Sequence, residues 1–219
     1  ILNDCLKIID RKMRFKWEKS DKLLEMLDKL GHTEQKSRRE YILTEFLYDY
    51  LDILCPWNPE ITIQNISMEM ERLKSASKPL KMSLYTDKGT VDILYKTEDV
   101  RKDRMTMATA YWIEKTTEGK VEFTRYAVMP VKANAGIIEM VKGATTLYDI
   151  KHKYGTTLQN FILDRNSDLT VIALRERFIK SVAAACVLSY VLGVGDRHLE
   201  NMLVTDDGKL IHVDFFYLL

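Results

Sequence analysis

Apolar positions recur along this chain with two different periods. Leu43, Phe46, Leu47, Tyr50, Leu51 and Leu54 are spaced three and four apart, which predicts one face of a helix. Pro56 and Pro59, in CPWNPE, end that helix, because proline has no amide proton and disfavours helix in the residue before it. The stretch from Arg11 to Arg39 is dense in charge and predicts exposed helices with a loop near Gly31. The period then shortens. Met82 and Leu84, a TDKG turn at Thr86 to Gly89, and Val91, Ile93 and Tyr95 predict a β-hairpin. A helix is expected from about Val100 to Lys115, then a strand from Val121 to Met129 that stops at Pro130, then the short apolar run IIEMV after Gly136. Arg175 to Leu192 is helical again and ends at Gly193 and Gly195, which tolerate positive φ. Two short strands, Met202 to Thr205 and Lys209 to Val213, flank the turn DDG at Asp206 to Gly208.

Composition narrows the class. The 219 residues are 46% hydrophobic and 30% charged, with only 9 Gly and 4 Pro, which excludes a disordered, collagen-like or linker protein. A net charge of +1 provides no global field for nucleic acid, so none is expected as a partner, and any membrane attraction must be local. Cys5, Cys55 and Cys186 lie far apart and outside any CxxC spacing, as reduced cytosolic thiols do. The opening ILNDCLKIIDRK mixes charge into its apolar residues, unlike a signal peptide. The longest apolar segment, Val182 to Gly195, is shorter than the roughly 20 residues a bilayer span needs and reads as a buried core helix of a soluble chain.

The chemistry concentrates in GDRHLENMLVTDDGKLIHVDF. A turn centred between Asp207 and Gly208 would set Asn201 opposite Asp214, a carboxamide beside a carboxylate at the open end of a hairpin. Asp196 and His198 lie just upstream, on a loop that its glycines allow to turn sharply. Hard oxygen ligands of this kind suit magnesium, which keeps several waters and takes one or two protein ligands beside phosphate oxygens. The order of an acid, then a metal-binding Asn, then a later Asp is also the spacing logic of protein kinases, with Asp-Arg-His here in place of His-Arg-Asp.

GDRHLEN followed by HVDF resembles the catalytic and metal-binding loops of the phosphatidylinositol 3-/4-kinase superfamily. Further segments carry the same likeness: PWNPEITI resembles the lead-in to these domains, LKSASKP their serine-based phosphate-covering loop, and EDVRKD their DLRQD segment. RYAVMP and GIIEMV are similar to the strand and hinge that hold adenine. The resemblance covers about residues 55 to 219 and implies an α+β, bilobal protein-kinase-like fold of the phosphatidylinositol kinase type. That fold has a β-rich N-lobe and a helical C-lobe, here ending early. The implied domains are a helical N-terminal extension (1–55), an N-lobe (56–135), and the hinge with a partial C-lobe (136–219).

The resemblance also implies cofactors and roles. ATP and Mg2+ would be bound. Lys96 would reach the nucleotide phosphates, Ser75 would offer its hydroxyl and nearby amides to them, and Asp103 would orient Lys96 or line the pocket. Glu139 and Val141 would present backbone groups to adenine, and Met129, Ile138 and Met140 would line its apolar slot. Asn201 and Asp214 would hold the metal, Asp196 and His198 would accept or steer the proton of the attacking hydroxyl, and Arg197 would brace the catalytic loop. His212 shares a strand face with Asp214 and is expected in a supporting role.

YVLGVGDRH, TLQNF and GKLIHVDF most resemble class III phosphatidylinositol 3-kinases, which act on unmodified phosphatidylinositol. That implies transfer of the γ-phosphate to the inositol 3-hydroxyl, peripheral contact with phosphatidylinositol in membranes, and a cytoplasmic protein associated with endomembranes. RYAVMP and KGATTLYDI also resemble the related serine/threonine protein kinases, and a nucleotide-binding pseudokinase scaffold is a third reading. Phe216 stands where the family has glycine, which puts turnover or activation-segment mobility in question. The charged N-terminal helices offer a surface for a regulatory protein.

Overall fold

The computed structural model describes residues 11–50, 52–75 and 77–218, so expectations for Cys5 and Leu51 lie outside the described residues. The architecture is mixed α+β. The described residues form two compact units, one reaching to Val100 and including Val128–Met140, the other comprising Arg101–Ala127 and the residues from Val141 onward.

In the first unit, helices α1 (Arg11–His32) and α2 (Lys36–Asp49) pack against a six-stranded antiparallel sheet. Its strands are β1 (Ile53–Cys55), β2 (Asn58–Arg72), β3 (Leu80–Thr86), β4 (Gly89–Lys96), β5 (Val128–Lys132) and β6 (Ala135–Glu139), in the order β1-β2-β3-β4-β6-β5. The expectation of exposed helices over 11–39 is corrected here. Leu23, Met26, Leu27 and Leu30 follow a helical period and are at most 3% exposed, packing into the same cluster as Ile63, Leu84 and Ile93. Charge on the other faces hides that stripe in the sequence.

The second helix also ends earlier than its apolar spacing suggests. It stops at Asp49, Tyr50 is extended, Asp52 takes φ 54°, and Leu54 belongs to β1, which pairs with β2. Proline therefore closes a strand turn here, not a helix. The β3–β4 hairpin matches its TDKG signal: Thr86 faces Gly89, and the Thr86 hydroxyl donates to the Gly89 carbonyl at 2.6 Å. The strand expected over 121–129 is displaced. Residues 122–127 have no regular structure, because the Phe123 amide and the Arg125 guanidinium bind the Glu114 carboxylate at 2.7 and 2.8 Å. The strand starts at Val128 and runs through Pro130, which is tolerated because β5 is an edge strand.

The second unit contains α3 (Arg101–Thr116), β7 (Ala144–Thr146), α4 (Leu147–His152), α5 (Leu158–Asp164), α6 (Val171–Leu192), β8 (Met202–Thr205) and β9 (Leu210–His212). Strands β7, β8 and β9 form a small antiparallel sheet. Thr146, Thr157 and Thr170 cap three helices by accepting from the amides of Asp149, Asn160 and Ala173. Ile150, Phe161, Ile162, Leu174 and Val204 make its core. Helix α6 ends at Gly193 in the left-handed region, as its sequence suggests. It is not buried all round, however: Ala184, Ala185 and Leu188 are inside, whereas Tyr190 is 90% exposed. Among the described residues no helix is long and apolar enough to cross a membrane. Cys55 is buried and Cys186 exposed, both as free thiols.

Candidate functional site

The hairpin that carries the metal candidates has a different register from the one expected. Met202 faces His212, Leu203 faces Ile211 and Val204 faces Leu210, so Asn201 stands opposite Val213 and not Asp214. The cause is the loop. Thr205 donates its amide to the Lys209 carbonyl at 3.0 Å, which leaves the three residues Asp206, Asp207 and Gly208 in the turn. Gly208 at φ 83° supplies the left-handed residue such a loop needs. The last rung is the Val213 amide to the Asn201 carbonyl, 3.0 Å.

Asp214 leaves the ladder at once, with φ 62°, and Asp196 at the other end of the motif has φ 53°. Non-glycine residues seldom adopt this conformation, and where they do the surrounding structure imposes it. Arg197 does so here. Its Nε donates to the Gly195 carbonyl at 2.9 Å, its Nη1 to the Val213 carbonyl at 2.8 Å, and its Nη2 to the Asp214 carbonyl. The guanidinium also lies over the Phe215 ring, 5.4 Å from the centroid. Burial lowers the Arg197 pKa, while the charges of Asp214 and Asp196 work in the opposite direction.

Asn201 is 8% exposed, and its amide nitrogen donates to the Asp196 carbonyl at 3.0 Å. That bond ties the nitrogen end and leaves the oxygen end for a cation. His198 is exposed and its Nδ1 accepts the Glu200 amide at 3.2 Å, so a neutral ring carries its proton on Nε2. His212 shares a hydrogen bond with the Ser189 hydroxyl, and burial with the nearby Arg197 charge pushes its pKa down to about 4. It is neutral at physiological pH.

Asp103, in the first turn of α3, is 3% exposed, and its carboxylate accepts the Phe215 amide at 3.5 Å. Tyr126 joins this neighbourhood, and sequence reasoning missed it, because a tyrosine inside RYAVMP carries no signal of its own. Its hydroxyl is buried and unpartnered; burial, then the charges of Asp103 and Asp214, raise its pKa well above the ordinary value.

The first unit carries the remaining candidates. Lys96 ends β4, is 7% exposed and pairs with Glu98 at 2.8 Å. Opposite it stands Gly136, where a Cβ would lie 2.1 Å from a Val100 methyl. Ser75 is exposed in the β2–β3 loop, with its carbonyl accepting the Lys78 amide at 3.1 Å. Ile138 is buried and Met129 half-buried on neighbouring strands. Burial raises the Glu139 pKa, and the Trp57 side chain works in the opposite direction without cancelling it. Val141 belongs to the second unit, and its carbonyl accepts the Ala144 amide at 3.3 Å. A groove in the second unit, lined by Met107, Ala184, Leu188, Ile211 and Phe215, reaches His212 but none of the residues expected to hold nucleotide, metal or substrate.

The donor set fits magnesium. An amide oxygen and a carboxylate are hard ligands, and the buried Tyr126 hydroxyl that lacks a partner sits in the field of Asp214. Among the described residues no group of three or more His, Cys, Asp and Glu gathers to hold an ion. An ion here would take most of its coordination from water and phosphate, as magnesium does.

Residues 90–219 match the family model described as phosphatidylinositol 3- and 4-kinase. The chain is similar to phosphatidylinositol 3-kinase VPS34 of Arabidopsis thaliana, 31% identical over 190 residues and 81% of this chain. It is 32% identical to that of Saccharomyces cerevisiae over 177 residues, 76% of this chain. Against that of Candida glabrata the identity is 28% over 241 residues, covering 100% of this chain. The chain spans 23%, 20% and 27% of the lengths of those three relatives.

Proposed function

Because this chain belongs to the phosphatidylinositol 3- and 4-kinase family, we propose that it supplies the catalytic machinery of an ATP- and magnesium-dependent phosphatidylinositol 3-kinase. One observation carries the reading: Asp196 and Asp214 both occupy left-handed backbone, and the single guanidinium of Arg197 ties the carbonyl before Asp196 to the carbonyls of Val213 and Asp214. Strain held in place by a half-buried charge suits a preorganised site.

The roles follow. Asn201 and Asp214 hold magnesium, which when bound neutralises charge on the phosphates. Lys96 meets those phosphates as a point charge, kept pointing by Glu98, and Ser75 adds a hydroxyl and nearby amides. Ile138 and Met129 line the adenine slot, with backbone groups of Glu139 and Val141 along its edge, and Asp103 lines the pocket. Asp196 accepts the proton of the inositol 3-hydroxyl. His198, with Nδ1 occupied by the Glu200 amide, steers that hydroxyl through its Nε2 proton. Arg197 spends its donors on carbonyls of its own loop and is a positioning residue. The lipid is reached by peripheral contact at endomembranes.

Phe216 is compatible with turnover. Its φ is not positive, its ring is 53% exposed, and the Lys102 ammonium donates to its carbonyl at 2.8 Å. The backbone at this position does not require glycine.

The test is ADP release with ATP and magnesium on phosphatidylinositol vesicles against a peptide mixture, followed by identification of the phosphorylated hydroxyl. Lipid-dependent turnover yielding the 3-phosphate, abolished in Asp214→Ala, is expected. Turnover on peptides alone would place the protein with the related serine/threonine kinases, and nucleotide binding without turnover on either would make it a scaffold.

A further inference from the structure

The C-terminal turn of α1 touches two separate parts of the first unit. Asp28 accepts the Tyr95 hydroxyl at 2.6 Å on one oxygen and the Lys132 ammonium on the other. Tyr95 is fully buried, and its ring lies so close to Gly31 that a Cβ there would come within 2.2 Å of it. Tyr95 immediately precedes Lys96 and is paired on both sides, with Leu80 and with Ile137. The last residues of β4 are thus held by two strands and by the end of a helix.

The same turn holds the β2–β3 loop. The Gly31 and Thr33 carbonyls accept from Nη2 of Arg72, while Nη1 of Arg72 donates to the Lys78 carbonyl at 2.9 Å. Arg72 ends β2, and the loop that carries Ser75 begins beyond it and closes with the Leu73 amide on the Pro79 carbonyl, 3.1 Å. Arg39 secures the turn from below, donating to the Thr33 and Glu34 carbonyls at 2.8 and 2.7 Å. Packing alone does not call for these groups. Phenylalanine would fill the place of Tyr95, and buried polar groups cost stability unless each finds a partner.

We propose that the last turn of α1 is a brace for nucleotide phosphates, with Asp28 and Arg72 as positioning residues that set Lys96 and the Ser75 loop. This rests on the phosphate-binding role given to Lys96 and Ser75 above. A brace acts on the phosphates and not on adenine, which separates it from a general contribution to folding.

The experiment is calorimetric titration of the full chain with ATP and magnesium, and in parallel with adenosine. Asp28→Ala is expected to weaken ATP by about fivefold to tenfold, leave adenosine within about twofold, and be largely rescued by Asp28→Asn, which keeps an acceptor for Tyr95. In a Lys96→Ala background the same change is expected to cost less than about twofold, since residues acting through one another are not additive. Tyr95→Phe, which removes one hydroxyl, is expected to weaken ATP about twofold to threefold and serves if Asp28→Ala does not fold. Equal losses for ATP and adenosine, or full additivity with Lys96→Ala, would overturn the brace. Should Lys96→Ala itself bind ATP as the wild type does, the phosphate role of Lys96 fails and the brace fails with it. Normal ATP binding in Asp28→Ala and Tyr95→Phe, with Lys96→Ala impaired, would remove the brace alone.

Discussion

The Val213 amide donates to the Asn201 carbonyl at 3.0 Å, and this last rung sets Asp214 one residue beyond the strand pairing. Asp214 then takes φ 62°, which breaks the alternation of side chains that a continuing strand would impose. A direct cross-strand pairing would have fixed Asp214 opposite Asn201. Arg197 instead determines where the acidic residue begins, by holding the carbonyls of both Val213 and Asp214.

Arg197→Lys should therefore damage turnover more than nucleotide binding. An ammonium cannot reach three carbonyls in the fixed fork that guanidinium provides. Turnover on phosphatidylinositol vesicles is expected to fall by about a hundredfold, with the KM for ATP changing far less. A variant with wild-type kcat would show that the loop holds its shape without the fork.

Tyr126→Phe tests the unpartnered hydroxyl. A buried polar group without a partner costs roughly 1–3 kcal/mol, so its removal should raise stability in urea by about 1 kcal/mol. A loss of stability would mean that the hydroxyl is bonded in solution.

Gly136→Ala should be costly for a steric reason. The added methyl would meet a Val100 methyl at 2.1 Å and the Met129 carbonyl at 2.9 Å, and backbone gives way less readily than a side chain. A loss of about 2 kcal/mol in denaturant unfolding is expected. A neutral result would show that β6 can shift away from Val100.

The Asp28 carboxyl gives a pH signature. Burial works to raise its pKa, but the hydrogen bonds from Lys132 and Tyr95 outweigh that, and the carboxyl titrates below its ordinary range. The unfolded chain then takes up a proton near pH 4 that the folded state still refuses, so stability falls as acid is added. The stability advantage of the wild type over Asp28→Asn should be flat from neutral pH to about 4.5 and narrow below it. Chemical denaturation across that range measures it, and an advantage that widened in acid would contradict the assignment.

Much of this molecule is legible in its residues where local chemistry decides the outcome. TDKG determines the β3–β4 hairpin, and Gly193 ends α6 because few other residues accept a left-handed cap. The motif from Asp196 to Asp214 stands out in the sequence because its residue types would suit magnesium and phosphate, and its roles remain a proposal. What failed depended on partners distant in sequence. Leu23, Met26, Leu27 and Leu30 form a core stripe that charged neighbours obscure until the sheet beneath α1 is known. The segment expected to form a strand at Val121 is held by Glu114, and Tyr126 gains meaning only beside Asp103 and Asp214. The hairpin register turned on one residue: Gly208 favours a three-residue loop over a two-residue turn, and that shifts every pairing.

In the function proposed here, Asn201 and Asp214 share a divalent ion beside a nucleotide. Electron paramagnetic resonance of Mn2+ titrated into the protein with saturating ADP measures this without requiring turnover. One tightly bound Mn2+ is expected in the wild type, with affinity lowered by about tenfold or more in both Asn201→Ala and Asp214→Asn. Mn2+ bound as tightly in both variants as in the wild type would contradict the account.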